Sequence, residues 1–476
     1  MSVSTFHIVG AGVAGLAAAV RAVERGAKVR LYEAAPQAGG RCRTVLAADG
    51  FSHDNGTHVL LGANPRALDF LRRIDALERW IEPEPDGLPV FDLRNGELRH
   101  VGVSPFSWLR ADRRPEGVGL ADIPRLARLV APLPDRAIGS IFAGRPILDS
   151  FIDPLTVAVL NTPVETASAR RLGRALRQVA RRGGGRLFVA REGLGPDLVA
   201  PALDWLAARG VEIETGARLR ALEVREGRVV GLVFAGRSVV VGEGEKVVLA
   251  LPPQEIARLI PQVKVPDQFE PIVNAHFAIH HEPPSTPLPC HPRRREAPGR
   301  GSSRDADEAL PTVEAGMNLT AGSPSPAPQE RLRPGMTRTG EAGGGGREFT
   351  PRFIGMRGAL SQWLLVRHDH VSVTVSAAGS SVDEHPDALI ARIWNEIAPA
   401  MRAAGLNVHR GEGSRVVKEK RATIRQEAGP DRRLPVSPYA NLALAGDWIS
   451  DLPATIESAT ISGEDSVATL LAERKP

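Results

Sequence analysis

The residues best placed for chemistry near the N-terminus are glycines. In FHIVGAGVAGLAAAV (residues 6–20), Gly10, Gly12 and Gly15 stand in the spacing G-x-G-x-x-G. A turn of this kind receives a pyrophosphate. Gly10 permits the tight bend, Gly12 lets the backbone approach phosphate oxygens, and Gly15 lets the next helix pack closely on the strand. Gly10, Gly12, Ala14 and Gly15 are therefore the expected cofactor-binding positions of the turn. Glu33 ends KVRLYE, where an acid can hydrogen-bond a ribose hydroxyl and argues against a 2′-phosphate there. Gly39, Gly40 and Arg41 follow, two glycines that allow close backbone approach and a guanidinium that offers charge-assisted donors. A further group, DNGTHVLLGAN (54–64), packs Asp54, Asn55, Thr57 and His58 against an apolar run. A carboxylate and an imidazole in that position could move a proton at the edge of a dry chamber.

These groups need elements to hold them. A strand precedes Gly10 and an Ala-rich helix follows Gly15, the context the glycine pattern requires. KVRLYE reads as a second strand, and a helix begins near Pro65. Residues 185–213 read as strand, loop and helix, with Leu198, Ala202, Leu203 and Leu206 on one helical face. ARLRALEV, RVVGLVFA, RSVVVG and KVVLALPP are strands separated by turns. Residues 86–185 look irregular, with Pro- and Arg-rich loops. Residues 352–378 read as strands, 383–405 as an amphipathic helix, and 441–446 as a strand leading through Gly446 and Asp447 to a final helix. Between 283 and 350 the chain is rich in Pro, Gly, Ser and Arg without any period, the composition of a disordered insertion.

Composition bounds the classes. The 476 residues are 42% hydrophobic and 24% charged, enough for a large core and two or three domains. A net charge of +5 is too modest to require nucleic acid, and within 283–350 no aromatic residue interleaves the arginines until Phe349. Cys42 and Cys290 give no metal-ligand spacing, and no metal is expected. No apolar run is long enough for a spanning helix, and no secretory signal opens the chain, so a cytoplasmic location is expected.

The stretch around GGRCRT resembles the flavin amine oxidase and phytoene desaturase superfamily. Within it, DNGTHVLLGAN, PLTVAVLNTPVETAS, PALDWLAARG, VVKEKRATI and LAGDWISDLPATIESA resemble the hydroxysqualene dehydroxylases. The resemblance implies an α/β fold: a Rossmann-like FAD-binding domain of the glutathione reductase/amine oxidase type (1–85, 186–265, 425–476) with a discontinuous α+β substrate domain (86–185, 266–424). It implies FAD as cofactor, with Arg41 at its phosphate or flavin and Gly446, Asp447, Ala454, Thr455 and Ile456 at the flavin. The dipole of the last helix would add about 0.3–2 kcal/mol to an anionic reduced flavin. The implied reaction is reductive dehydroxylation of hydroxysqualene to squalene. It needs an acid, for which His58, Asp54 and Glu457 are the candidates, with His58 closest in pKa class. Val59, Leu60 and Leu61 would begin the apolar lining. The triterpene implies a peripheral contact with the inner face of the cell membrane, for which residues 105–134 with Trp108, Leu109, Leu126, Leu129, Val130 and several arginines are suited. Squalene synthase-like proteins are the implied pathway partners. A carotenoid desaturase, another amine oxidase-type enzyme and an inactive flavin-binding partner remain alternatives.

Overall fold

The computed structural model describes residues 4–47, 49–131, 133–281, 349–429 and 437–472. Nearly all of the segment read as a disordered insertion, with Cys290, lies outside them.

Strands buried on both faces build the first layer. Phe6, Ile8 and Leu31 are fully buried, and their strands Thr5–Val9 and Lys28–Tyr32 pair in parallel. The sheet has five strands in the order 213–214, 28–32, 5–9, 246–249 and 442–444, all parallel. Parallel neighbours require crossovers, and the helix Val13–Glu24 supplies the first. Its alanines carry no bulk, so the terminal helix Ile456–Ala472 packs against it at backbone distance. A Cβ added to Gly463 would lie 2.1 Å from Ala14 O.

The second layer is a seven-stranded sheet in the order 408–424, 269–281, 370–375, 363–366, 352–357, 88–92 and 97–101. Side chains alternate across it. Val273, Ala275 and Phe277, with Val371, Val373 and Val375, pack under the helix Pro386–Ala403 through Leu389, Ile393 and Ile397. The opposite face carries Asn274, His276, Ser372 and Thr374, all buried. The strands of the parallel sheet fall in segments 1–85, 186–265 and 425–476, and those of the seven-stranded sheet in 86–185 and 266–424.

Three expectations are corrected. Residues 123–130, 138–142, 153–160 and 169–179 are helices around a core of Ile138, Phe142, Ile152, Leu160 and Leu172, not irregular loops. Three of these helices have only five to eight residues, two of them opened by proline, and are too short to show a period. The run Val59–Leu61 is an extended strand, so it splits: Leu60 enters the core of the parallel-sheet layer, while Val59 and Leu61 pack with Leu187 and Val189. In 105–134, Leu129 is buried, Leu126 packs on the helical core and Trp108 turns its edge to Phe151. The outward residues are Phe106, Leu109, Ile123 and Leu133, four of the seven large hydrophobic side chains exposed among the described residues.

Candidate functional site

Gly10 has φ +101°, and a Cβ there would lie 2.3 Å from Ala250 O. A Cβ on Gly15 would lie 1.8 Å from Gly10 O. The chain's own packing therefore demands both glycines. Gly12 is different. It caps the first helix without a side-chain bond, and a Cβ there would meet nothing within 4 Å. Bare backbone at an uncapped helix N-terminus fits a phosphate.

Glu33 Oε2 accepts the Ala11 N–H at 2.7 Å and Oε1 accepts the Ala35 N–H at 2.9 Å. It braces the glycine turn, and each oxygen keeps a lone pair with which a ribose could bond. Gly39, at φ +108°, donates its N–H to Ala11 O at 2.8 Å, which lays the second turn beside the first. Gly40 has φ +56°, and a Cβ there would lie 3.4 Å from Gly12 Cα. Arg41 then donates to Asp447 Oδ1 at 2.7 Å and to Ala422 O at 2.6 Å. Asp447 is buried while the Arg41 side chain is 46% exposed, so the guanidinium keeps an open edge. Gly446 and Asp447 follow the last parallel strand, so this ion pair joins motifs 406 residues apart.

The loop before the terminal helix is pinned. Arg171 donates to Ser450 O and Leu452 O, and Trp448 donates to Leu251 O. The Ala454 N–H is committed to Gln426 Oε1 and the Thr455 N–H to Ser458 Oγ. Ile456 opens the helix and is buried.

The candidate acids separate. Glu457 accepts from the N–H groups of Arg66 at 3.2 Å and Ala67 at 2.7 Å. Burial pushes its pKa up, but its oxygens cap the helix Pro65–Arg73. Asp54 accepts from Thr44 Oγ1, the Leu194 N–H and the buried Arg367 guanidinium, a structural clamp. His58 Nδ1 lies 3.1 Å from Gly56 O. A carbonyl only accepts, so Nδ1 carries the proton and Nε2 the free lone pair. Burial lowers the His58 pKa, and the Arg41 charge pushes the same way against the opposing Gly56 bond. The ring is therefore neutral at neutral pH.

The sequence reading passed over a buried polar strip on the sheet facing these residues. His53 stacks on His276 with centroids 4.4 Å apart, His276 Nδ1 lies 2.9 Å from Ser372 Oγ, and Arg367 donates to His370 Nε2 at 3.3 Å. Burial, then the neighbouring His53, His370 and Arg367, hold His276 well below the usual imidazole range. Among the described residues no group of three or more His, Cys, Asp or Glu could hold a metal ion. The signal was the alternation in IVNAHFAI and HVSVTV, where polar residues recur every second position between apolar ones.

Comparison with known proteins bears on this geometry. Residues 13–283 match the family described as flavin containing amine oxidoreductase. The chain belongs to that family. As a flavin containing amine oxidoreductase it binds a flavin cofactor, and Gly12, Glu33, Arg41 and Asp447 are residues that could hold one. A hydroxysqualene dehydroxylase from Rhodopseudomonas palustris is 32% identical, covering 98% of each chain. A zeta-carotene desaturase from Synechocystis is 28% identical, covering 48% of this chain and 53% of its own. An oxidoreductase from Methanosarcina mazei shares the fold, with a TM-score of 0.63 at 14% identity over 98% of this chain and 100% of that one.

Proposed function

We propose that this protein is an FAD-dependent hydroxysqualene dehydroxylase, replacing the allylic hydroxyl of hydroxysqualene with hydrogen to give squalene and water. The observation that carries the reading is the relationship at 32% identity across 98% of both chains, against 23% identity to a probable zeta-carotene desaturase over the same share. The C–O bond breaks, the carbon gains a hydride, and the oxygen leaves as water after taking a proton. Reduced FAD, when bound, supplies the hydride. The chain's part is to hold FAD through Gly12, Glu33, Arg41 and Asp447, to exclude water, and to protonate the oxygen. His58 has that last role in the proposal, through the imidazolium formed when Nε2 takes up a proton, because the other two candidates are committed to structural bonds. The deciding assay offers the FAD-loaded protein hydroxysqualene, phytoene and an amine, with the flavin oxidised or dithionite-reduced. Squalene formed only with reduced flavin is the expected result. Consumption of phytoene or amine by the oxidised flavin overturns the reading.

Such a substrate resides in lipid. The exposed Phe106, Leu109, Ile123 and Leu133 share a segment with Arg110, Arg114, Arg125 and Arg128, the combination that suits an anionic inner-leaflet surface. No helix among the described residues is long and apolar enough to cross a membrane. The protein is expected to float with vesicles containing anionic lipid, and Phe106→Ser with Leu109→Ser to abolish flotation. Equal flotation of the double variant would remove this segment as the contact.

A further inference from the structure

Gly56 has no conformational need to be glycine, since its φ is not positive. What surrounds it explains it better. A Cβ on Gly56 would lie 3.3 Å from Asn274 Nδ2 and 3.8 Å from His58 Cε1. The bare Cα therefore keeps open a gap between an amide and an imidazole.

The amide is oriented. Asn274 is 3% exposed and sits opposite Thr374 on the polar face of the seven-stranded sheet. Thr374 Oγ1 donates to Asn274 Oδ1 at 3.0 Å, so Oδ1 faces Thr374 and the NH₂ is turned away from that strand, towards Gly56. On the other side, the His58 Nδ1 bond to Gly56 O leaves Nε2 to whatever enters. Thr57, between the two in sequence, has a buried hydroxyl without a hydrogen-bond partner. Val59 begins the apolar contact with Leu187, Val189, Phe353 and Leu365.

We infer that Asn274, Gly56 and His58 form the seat for the departing hydroxyl of an allylic alcohol, with Asn274 Nδ2 as the donor that holds its oxygen. The inference rests on the dehydroxylation reading and deepens it. A preset donor on a buried side chain has no partner when a hydrocarbon lies against it. The seat therefore favours the alcohol over the product that lacks the oxygen, which also aids product release. Asn274 is a specificity-determining contact that fixes the oxygen where the His58 ring can reach it.

The test measures binding of hydroxysqualene and of squalene to the FAD-loaded full chain by flavin fluorescence, in detergent micelles. Asn274→Asp keeps the shape and the acceptor towards Thr374 but removes the donor. Gly56→Ala leaves the amide intact and fills the gap. The wild type is expected to prefer hydroxysqualene by about tenfold or more, the scale of one hydrogen bond to a buried donor. Both variants should lose that preference while squalene affinity under Asn274→Asp and flavin occupancy stay unchanged. If Asn274→Asp fails to fold, Thr374→Val, which frees the amide to turn, should lower the preference in its place. A preference kept by the variants, or absent from the wild type, overturns the inference. A wild type that forms no squalene with reduced flavin defeats the dehydroxylation reading instead, so the two failures are distinguishable.

Discussion

At the scale of single residues, three candidate acids share an elementary chemistry and differ in what surrounds them. Glu457 is engaged by two backbone N–H groups at a helix N-terminus. Glu457→Gln should cost about 1 kcal/mol of stability, as loss of a charged cap does, and leave the single-turnover rate unchanged. A lost rate at unchanged stability would make Glu457 the acid after all. His58 gives the opposite expectation. Its lowered pKa leaves little imidazolium at neutral pH, so a rate that depends on that imidazolium rises as pH falls below about 6.5 towards the folded value. Single-turnover formation of squalene by the FAD-loaded protein should show this acid limb, and His58→Gln should flatten it. The same limb in the variant would exclude His58. Cys42, beside Arg41, takes no part in such transfers, since burial pushes its thiol up to about 12.

Elements explain why part of this was legible in the sequence and part was not. The glycine turn was legible because three glycines, a strand and a helix all constrain one local bend. The reasons for the individual glycines were not, since Gly10 answers to Ala250 O and Gly15 to Gly10 O, contacts made only by the folded chain. This difference gives a paired prediction. Gly15→Ala drives a Cβ into Gly10 O and should destabilise the protein even without cofactor. Gly12→Ala meets nothing of the chain and should leave the thermal unfolding of the apoprotein unchanged. Its flavin affinity should fall by about tenfold or more, roughly 1.4 kcal/mol. Equal flavin retention by Gly12→Ala would show that the phosphates do not approach there. The polar strip of Asn274, His276, Ser372 and Thr374 was legible in its alternation but not in its purpose. What Asn274 or Asp54 faces depends on segments a hundred or more residues away, such as the loop at Leu194 and the strand carrying Thr374.

Across the whole molecule, the same long-range bonds hold the two layers together. Arg41 with Asp447 ties the N-terminal piece to the end of the last parallel strand, and Arg66 and Arg73 with Glu464 tie it to the last helix. Asp54 with Arg367, and His53 stacked on His276, tie it to the seven-stranded sheet. The second junction should make the protein acid-labile before its carboxylates titrate. His276 is buried against the His53 ring, the His370 ring, the Arg367 guanidinium and the Ser372 hydroxyl, and its folded pKa lies well below the ordinary value. In the unfolded chain it takes a proton near pH 6.5. Its contribution is therefore intact above that pH and is lost as pH falls towards the folded pKa, because the unfolded state binds the extra proton. The loss approaches about 1.4 kcal/mol per pH unit. His58, also lowered, adds a loss of the same sign. Denaturant titrations between pH 7.5 and 5, pH limits set by the unfolded imidazole value of about 6.5, should show the slope of about one proton removed in His276→Gln, whatever the variant's absolute stability. Parallel curves for variant and wild type would mean that His276 is already protonated in the fold, and that its contact with His53 and Arg367 is not the neutral packing described above.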